Sequence, residues 1–374
     1  MAERKLKIAM FGHKRMPSRE GGIEIVVKEL ATRMAKRGHR VICYNRKGHH
    51  VSGNEYDENV GQYYKGVKLI PVWTVEKRGL AAATSSLSAA VHAAFSSADV
   101  VHIHAEGPAA MCLIPKLARK KVVVTIHGLD WQRAKWGGAA SKYIRFGEKQ
   151  AVRHADKIIV LSRSVQEYFR QEYGRETVYI PNGVRKPEAR EEKLITEKWG
   201  LKKDSYYLFL GRIVPEKGIR YLVEAWKDVQ TDKKLVIAGG SSDTDTFVDE
   251  LRSMSGENVI FTGFQQGQVL EELYSNTYVY VLPSDLEGMP LSLLEAMSYG
   301  NCCVVSDIPE CVEVVEDKAV VFPKGNVEKL TRVLQQLNDD PDLVSRYKTT
   351  AARFIIRKYN WDDVVDKTIA LYRG

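Results

Sequence analysis

The sequence predicts an α/β protein of two doubly wound domains, each a parallel sheet with helices on both faces. Three observations predict it. The chain has 374 residues, 44% apolar and 28% charged, which is too long for one ordinary domain and has the composition of a folded one. Short apolar runs alternate with amphipathic ones, and near-continuous apolar strands joined by helices mean parallel sheets buried on both faces. The alternation occurs twice, with a break between.

In the first run KIAMFG, RVICYN, VKLIPVW, VVHIH, VVVTIHG, KIIVLS and TVYIPN read as strands, short and β-rich. IEIVVKELATRMAKRG reads as a helix, because Ile25, Leu30 and Met34 recur at helical spacing and Gly38 ends the pattern. The second run restarts with YYLFLG, KKLVIAGG, NVIFTG, VYVLPS, NCCVVS and AVVFP, separated by helices such as IRYLVEAWKDV, VLEELYSN, PLSLLEAMSYG and VEKLTRVLQQL. The break is IPNGVRKPEAREEKL, where Pro181, Asn182, Gly183 and Pro187 lead into a charge cluster. The predicted domains are 1–182 and 183–359.

Composition excludes disordered, collagen-like and disulfide-scaffold classes. The longest apolar stretches, such as VVVTIHG and YVYVLP, fall far short of the roughly 20 residues of a spanning helix. MAERKLKIAMFG passes from charges straight into a strand and lacks a signal-peptide core. The five cysteines (Cys43, Cys112, Cys302, Cys303 and Cys311) have no metal-type spacing, so a reduced cytoplasm is expected. The net charge of +9 is uneven: residues 1–190 hold 34 Lys+Arg against 17 Asp+Glu, and the remainder 22 against 30. The basic half is either a solvated face or the side that meets an anionic partner: nucleic acid, a membrane surface or a phosphorylated substrate. Nucleic acid is the weakest of these, because the basic residues are dispersed and no recognition motif is present.

Ligands of open α/β sheets bind outside the carboxyl ends of the strands, so the residues just after the strands carry the chemistry. In VLPSDLEGMPLSLLEAMSYG, Glu287 lies in a loop and Glu295 about one turn into the following helix. Both can reach a ligand lying across the helix N-terminus, where unpaired N–H groups favour oxygen-rich or anionic groups. Carboxylates accept pairs of hydroxyl hydrogen bonds and suit sugar or ribose diols. An ordinary surface turn before a core helix explains the spacing equally well. In FLGRIVPEKG, Arg212 and Lys217 follow a strand, and Gly211 and Gly218 permit close backbone approach. A guanidinium and an ammonium on one short loop suit a diphosphate, although a solvated basic loop also fits.

Arg-x4-Lys followed by Glu-x7-Glu resembles family-four glycosyltransferases of the GT-B fold, of the bacterial surface-polysaccharide type. The resemblance extends through SREGGIE, TIHGLDW, PNGV, LVIAGG, FTGF and YNWDDVV, and so covers nearly the whole chain. It implies two Rossmann-like domains with an interdomain cleft, the first an acceptor-side domain onto which the C-terminal helix, 360–374, packs back. It implies retaining transfer of a hexosyl or related sugar from a nucleotide-diphosphate donor, expected to be UDP-linked, to an acceptor hydroxyl in polysaccharide or glycolipid synthesis. Carried over, Arg212 and Lys217 hold the diphosphate, and Glu287 contacts the transferred sugar, which the backbone of Gly288, Met289, Pro290 and Leu291 lines. Glu295 binds the ribose, His127 faces the sugar, and Gly21 and Gly22 approach the phosphates. The resemblance implies no cofactor. His104 and Trp131 are candidates for the acceptor site.

Metal sites are not expected. Asp243-Thr244-Asp245 has the form of a DxD motif but sits in a Ser/Asp-rich loop, and His102 with His104 lacks a third zinc ligand. Cys302 and Cys303 read as core residues. Trp131 and Trp136, interleaved with Arg133 and Lys135, suit either an acceptor or the core. No carboxylate stands out as a nucleophile in the first domain, which favours front-face transfer driven by orientation and electrostatics. A nucleotide-sugar epimerase and a non-catalytic nucleotide-sugar-binding protein are the rival readings. The expected location is cytoplasmic and peripheral at the inner face of the membrane. Docking there is expected to be electrostatic, since GLAAATSSLSAAVHAAF has no basic face.

Overall fold

The computed structural model describes residues 4–48, 61–77, 79–133, 137–240 and 245–374. The chain divides into two compact units, Met1–Asn182 with Trp361–Gly374, and Gly183–Asn360.

The first unit is built on strands β1 (Lys7–Phe11), β2 (Arg40–Arg46), β3 (Tyr63–Tyr64), β4 (Val67–Val72), β5 (Val100–His104), β6 (Lys121–Ile126), β7 (Lys157–Val160) and β8 (Val178–Tyr179). They form one sheet in the order β3-β4-β2-β1-β5-β6-β7-β8. Every pairing is parallel except the short β3–β4 edge. The helices are α1 (Gly22–Lys36), α2 (Leu80–Phe95), α3 (Glu106–Ala109), α4 (Leu113–Leu117), α5 (Gly138–His154) and α6 (Arg163–Tyr173). The strands carry β-branched residues on both faces, and Ala9, Val101, Ile103, Val122, Val124 and Ile158 anchor one buried cluster. Continuous apolar strands require helices on both sides, since exposure of either face would leave such residues in water.

The second unit contains strands β9 (Tyr206–Leu210), β10 (Lys234–Ala238), β11 (Val259–Gly263), β12 (Val279–Leu282), β13 (Cys302–Ser306) and β14 (Val320–Phe322). They form an all-parallel sheet in the order β11-β10-β9-β12-β13-β14. Its helices are α7 (Leu194–Trp199), α8 (Ile219–Trp226), α9 (Asp245–Met254), α10 (Gly267–Asn276), α11 (Leu291–Ser298), α12 (Pro309–Val315), α13 (Val327–Asp339) and α14 (Pro341–Lys358). The last helix, α15 (Trp361–Arg373), belongs to the first unit. There Arg33 meets Asp362 at 2.7 Å, Arg37 pairs with Asp366, and Tyr372 is buried against His102.

In both sheets the chain starts in the middle, builds outward to one side, then crosses to the other. The reversals fall between β1 and β5 and between β9 and β12. A crevice opens at such a switch, outside the carboxyl ends of the two strands, because the connections leave in opposite directions.

All five cysteines are buried and unbridged. Among the described residues no helix is long and apolar enough to cross a membrane.

Candidate active site

At the β9/β12 switch two loops meet. After β9 the chain passes Arg212 and makes a tight turn over Pro215–Lys217, ended by Gly218 at φ +65°. After β12 comes the loop Ser284–Pro290, and Pro290 precedes the first residue of α11. The loops are in backbone contact, with the Asp285 amide donating to the Glu216 carbonyl at 2.9 Å. A Cβ on Gly218 would lie 1.9 Å from the Pro283 carbonyl oxygen, so only glycine permits this approach.

That approach places Lys217 on Glu287. The Lys217 ammonium is 2.6 Å from Glu287 Oε1, and the two side chains are only 14% and 8% exposed. Ser284 Oγ donates to the same carboxylate oxygen at 2.6 Å. Lys217 is thus not on an exposed loop, as the sequence suggested for the basic segment. It is a largely buried cation with a dedicated carboxylate, and removing either partner strands the other. Arg212 is half-buried two residues beyond β9.

Gly288, Met289, Pro290 and Leu291 are buried, so this stretch is packed against the unit and is no free surface turn. Glu295 lies in the second turn of α11, and Tyr274 donates its hydroxyl to Oε2 at 3.3 Å. Tyr280 of β12 supports the helix from below, donating to Ser292 Oγ at 2.9 Å. A carboxylate beside an aromatic hydroxyl and another paired to an ammonium give two hydroxyl-accepting points near a helix N-terminus.

At the β1/β5 switch of the first unit the structure assembles histidines. His13 follows β1, His102 lies mid-way along β5 and His104 ends it, and His127 follows β6. The His104 and His127 rings are linked Nδ1 to Nε2 at 3.1 Å, and the His102 and His104 rings lie 4.1 Å apart. His102 is fixed by the Tyr372 hydroxyl at 2.6 Å and Thr125 Oγ1 at 2.7 Å. His13 Nε2 is 3.1 Å from Asn45 Oδ1. Burial is the main cause that lowers all four: His13 and His127 to about 4 and His102 to about 3. His104 is held well below the ordinary imidazole range by burial and then by its histidine neighbours. All four are therefore neutral at pH 7, able to hydrogen-bond but not to serve as resident cations.

Gly21 and Gly22 sit where α1 begins, Gly21 as its extended N-cap. A Cβ on Gly21 would meet only the Glu24 carboxylate, at 2.6 Å. Glu24 occupies the first turn and accepts the Lys14 amide at 2.8 Å. Trp131 lies in a single turn, Asp130–Gln132, with the Arg145 guanidinium 4.6 Å from its ring centre. Its buried Nε1 has no hydrogen-bond partner among the described residues, and neither has His104 Nε2. Lys135, Trp136, Asp243 and Thr244 lie outside the described residues, as does the Asp245 side chain.

Sequence reasoning missed Ser284, His13 and a buried carboxyl pair, Glu106 and Glu148. Glu106 Oε2 accepts the Asp130 amide at 2.7 Å, holding the turn that carries Trp131. Burial, then the Asp130 charge and the Glu148 contact, raise the Glu106 carboxyl well above its usual range. Glu148 accepts the Tyr168 hydroxyl at 3.0 Å and also that of Tyr173. Among the described residues no group of three or more His, Cys, Asp or Glu is arranged to hold a metal ion.

Two family models match the chain in succession: Glycosyltransferase Family 4 over residues 20–186 and Glycosyl transferases group 1 over residues 191–354. This chain is a family-four glycosyltransferase. An uncharacterised glycosyltransferase of Methanocaldococcus jannaschii is 26% identical, over 98% of each chain. In fold the glycosyltransferase is similar to sucrose-phosphate synthase from Thermosynechococcus elongatus, with TM-score 0.81, 21% identity, and 99% and 98% of the two chains covered. Anabaena HepE in complex with UDP and glucose gives the same TM-score, 0.81, at 16% identity over 98% and 99%. The fold of this glycosyltransferase is GT-B, with two parallel-sheet Rossmann-like domains.

Proposed function

We propose that this glycosyltransferase is retaining and metal-independent, and that it moves a sugar from a nucleotide-diphosphate donor, UDP-linked, to an acceptor hydroxyl in polysaccharide or glycolipid synthesis. The observation that carries the reading is the Lys217–Glu287 pair at 2.6 Å, set at the β9/β12 switch beside the start of α11. In this reading Arg212 and Lys217 hold the diphosphate, and Glu287 takes hydroxyls of the transferred sugar over the backbone of Gly288–Leu291. Glu295 takes the ribose diol. In the first unit Gly21 and Gly22 offer α1 amides to phosphate, His127 takes a sugar hydroxyl, and His104 and Trp131 serve the acceptor. Support for a UDP-sugar comes from HepE, whose structure contains UDP and glucose.

The chemistry asked of these residues is modest. The bond between the anomeric carbon and the phosphate oxygen breaks, and the acceptor oxygen bonds that carbon from the same face. The acceptor proton passes to the departing phosphate oxygen. Charge grows on the phosphate as the bond breaks, and fixed cations lower the barrier without an added metal. Orientation of two bound reactants contributes the rest.

The test is product analysis with a panel of nucleotide sugars and a simple sugar acceptor. NMR of the product should show the donor's anomeric configuration retained. An inverted linkage would refute the mechanism, and conversion of donor without acceptor would favour an epimerase.

A further inference from the structure

Helix α2 is turned inside out. Its inward face consists of Ser85, Ser86, Ala89, Ala90, Ala93 and Ala94, all buried. Its large apolar residues point outward instead: Leu80 is 49% exposed, Leu87 43%, Val91 42% and Phe95 89%. Leu87, Val91 and Phe95 recur every four residues, Leu80 lies two turns earlier, and the four form one stripe along the helix. A surface helix ordinarily does the reverse, since burying a large side chain gains more than burying alanine. Trp73, 62% exposed, extends the stripe, lining with Leu87, Val91 and Phe95 a shallow groove of about 590 Å³. Helix α4 adds Leu117, 75% exposed.

The segments that bear the stripe carry basic residues and no acidic ones, with Glu76 and Asp99 at their edges. Residues 77–98 and 107–129 contain no acidic residue. Lys77 is exposed at the start of α2, and the Leu80 amide donates to its carbonyl. At the other end the Lys120 ammonium donates to the Ser96 carbonyl at 2.6 Å. Lys116, paired with Asp156, and Arg119 are exposed on and just after α4.

From this inverted helix with its basic rim we infer that α2 is a membrane-docking face: Leu87, Val91 and Phe95 insert into the headgroup boundary of an anionic lipid surface while Lys77, Arg119 and Lys120 meet the phosphates. The rim selects lipid over a second copy of this chain, because a two-fold contact would set like charges against each other. An anionic leaflet attracts the same residues, and an apolar face laid in the interface adds attachment that salt does not screen. The inference departs from the expectation of purely electrostatic docking, which rested on the absence of a basic face from α2. The basic residues instead flank the helix.

The test is co-sedimentation with vesicles of phosphatidylcholine plus phosphatidylglycerol, and of phosphatidylcholine alone, at low and high salt. The protein should bind the anionic vesicles, with weaker but measurable binding at high salt. Leu87→Ser with Phe95→Ser should weaken partition about a hundredfold at both salt concentrations. Arg119→Gln should weaken it about fivefold at low salt and leave the high-salt value unchanged. All three residues are exposed, and unchanged melting curves would show that the variants are folded. Absence of binding, or equal binding by the double serine variant, would overturn the inference. So would a dimer in solution that the serine variant converts to monomer, since the stripe would then be an interface between copies.

Discussion

Acidification should destabilise the first unit through its buried histidines. In the unfolded chain each titrates near 6.5, whereas burial holds His13 and His127 at about 4 and His102 at about 3. Their contribution to stability is therefore complete above 6.5 and is lost as pH falls toward the folded values. Within that window the unfolded state binds one more proton per histidine, which costs about 1.4 kcal/mol per pH unit for each. At about pH 5 the three together amount to on the order of 6 kcal/mol, comparable with the whole stability of a domain. Glu106 works in the opposite direction, because its raised carboxyl favours the folded state on acidification. The perturbation that isolates the histidines is His13→Gln, which removes one of these proton uptakes and should flatten the pH dependence by about 1.4 kcal/mol per unit. The assay is urea unfolding between about pH 7 and about pH 5. The transition that the substitution shifts reports the first unit. A wild-type midpoint that does not move, or a slope that His13→Gln leaves unchanged, would refute the reasoning.

Three further outcomes are expected. Gly218→Ala must relieve both its positive φ and the 1.9 Å approach to Pro283, so it should lose about 2–4 kcal/mol in denaturant titration and at least roughly tenfold in turnover. Gly147→Ala would place a Cβ 1.9 Å from the Glu106 carbonyl oxygen where α5 crosses α3. It should lower thermal stability by about 1–3 kcal/mol, and an unchanged melting temperature would show that the helices part freely. Transfer assayed in excess EDTA should proceed near its normal rate, and loss restored by manganese would bring Asp243 and Asp245 back as ligands.

The strands were legible because doubly covered strands are nearly continuous apolar runs, visible in KIAMFG and YYLFLG alike. Strand β3 was not, since two tyrosines at a sheet edge carry no pattern. Helix α2 shows a subtler limit. Its period defines two faces, but the periodicity of LAAATSSLSAAVHAAF says nothing about which is inside, and the usual rule gives the wrong answer. The strand-end rule singled out Arg212, Lys217, Glu287 and Glu295, which the structure places about the β9/β12 switch. It could not give the burial of Lys217, which depends on a carboxylate 70 residues away and a glycine that lets the loops touch. The HxH spacing announced that His102 and His104 share a face. His13 and the Glu106–Glu148 pair gave no sign, because lone polar residues in loops and amphipathic helices are ordinarily solvated.

The central claim is that the loop after β9 grips the donor's phosphates, and calorimetric binding of a nucleoside diphosphate tests it most directly. The nucleoside diphosphate of the active donor should bind wild type far better than the bare nucleoside. Arg212→Ala should weaken the diphosphate about a hundredfold, equivalent to ~2.7 kcal/mol, and leave the nucleoside unaffected. Lys217→Ala combined with Glu287→Ala, which strands neither charge, should do the same. Wild-type diphosphate affinity in both variants would contradict the account and move the donor site away from this loop.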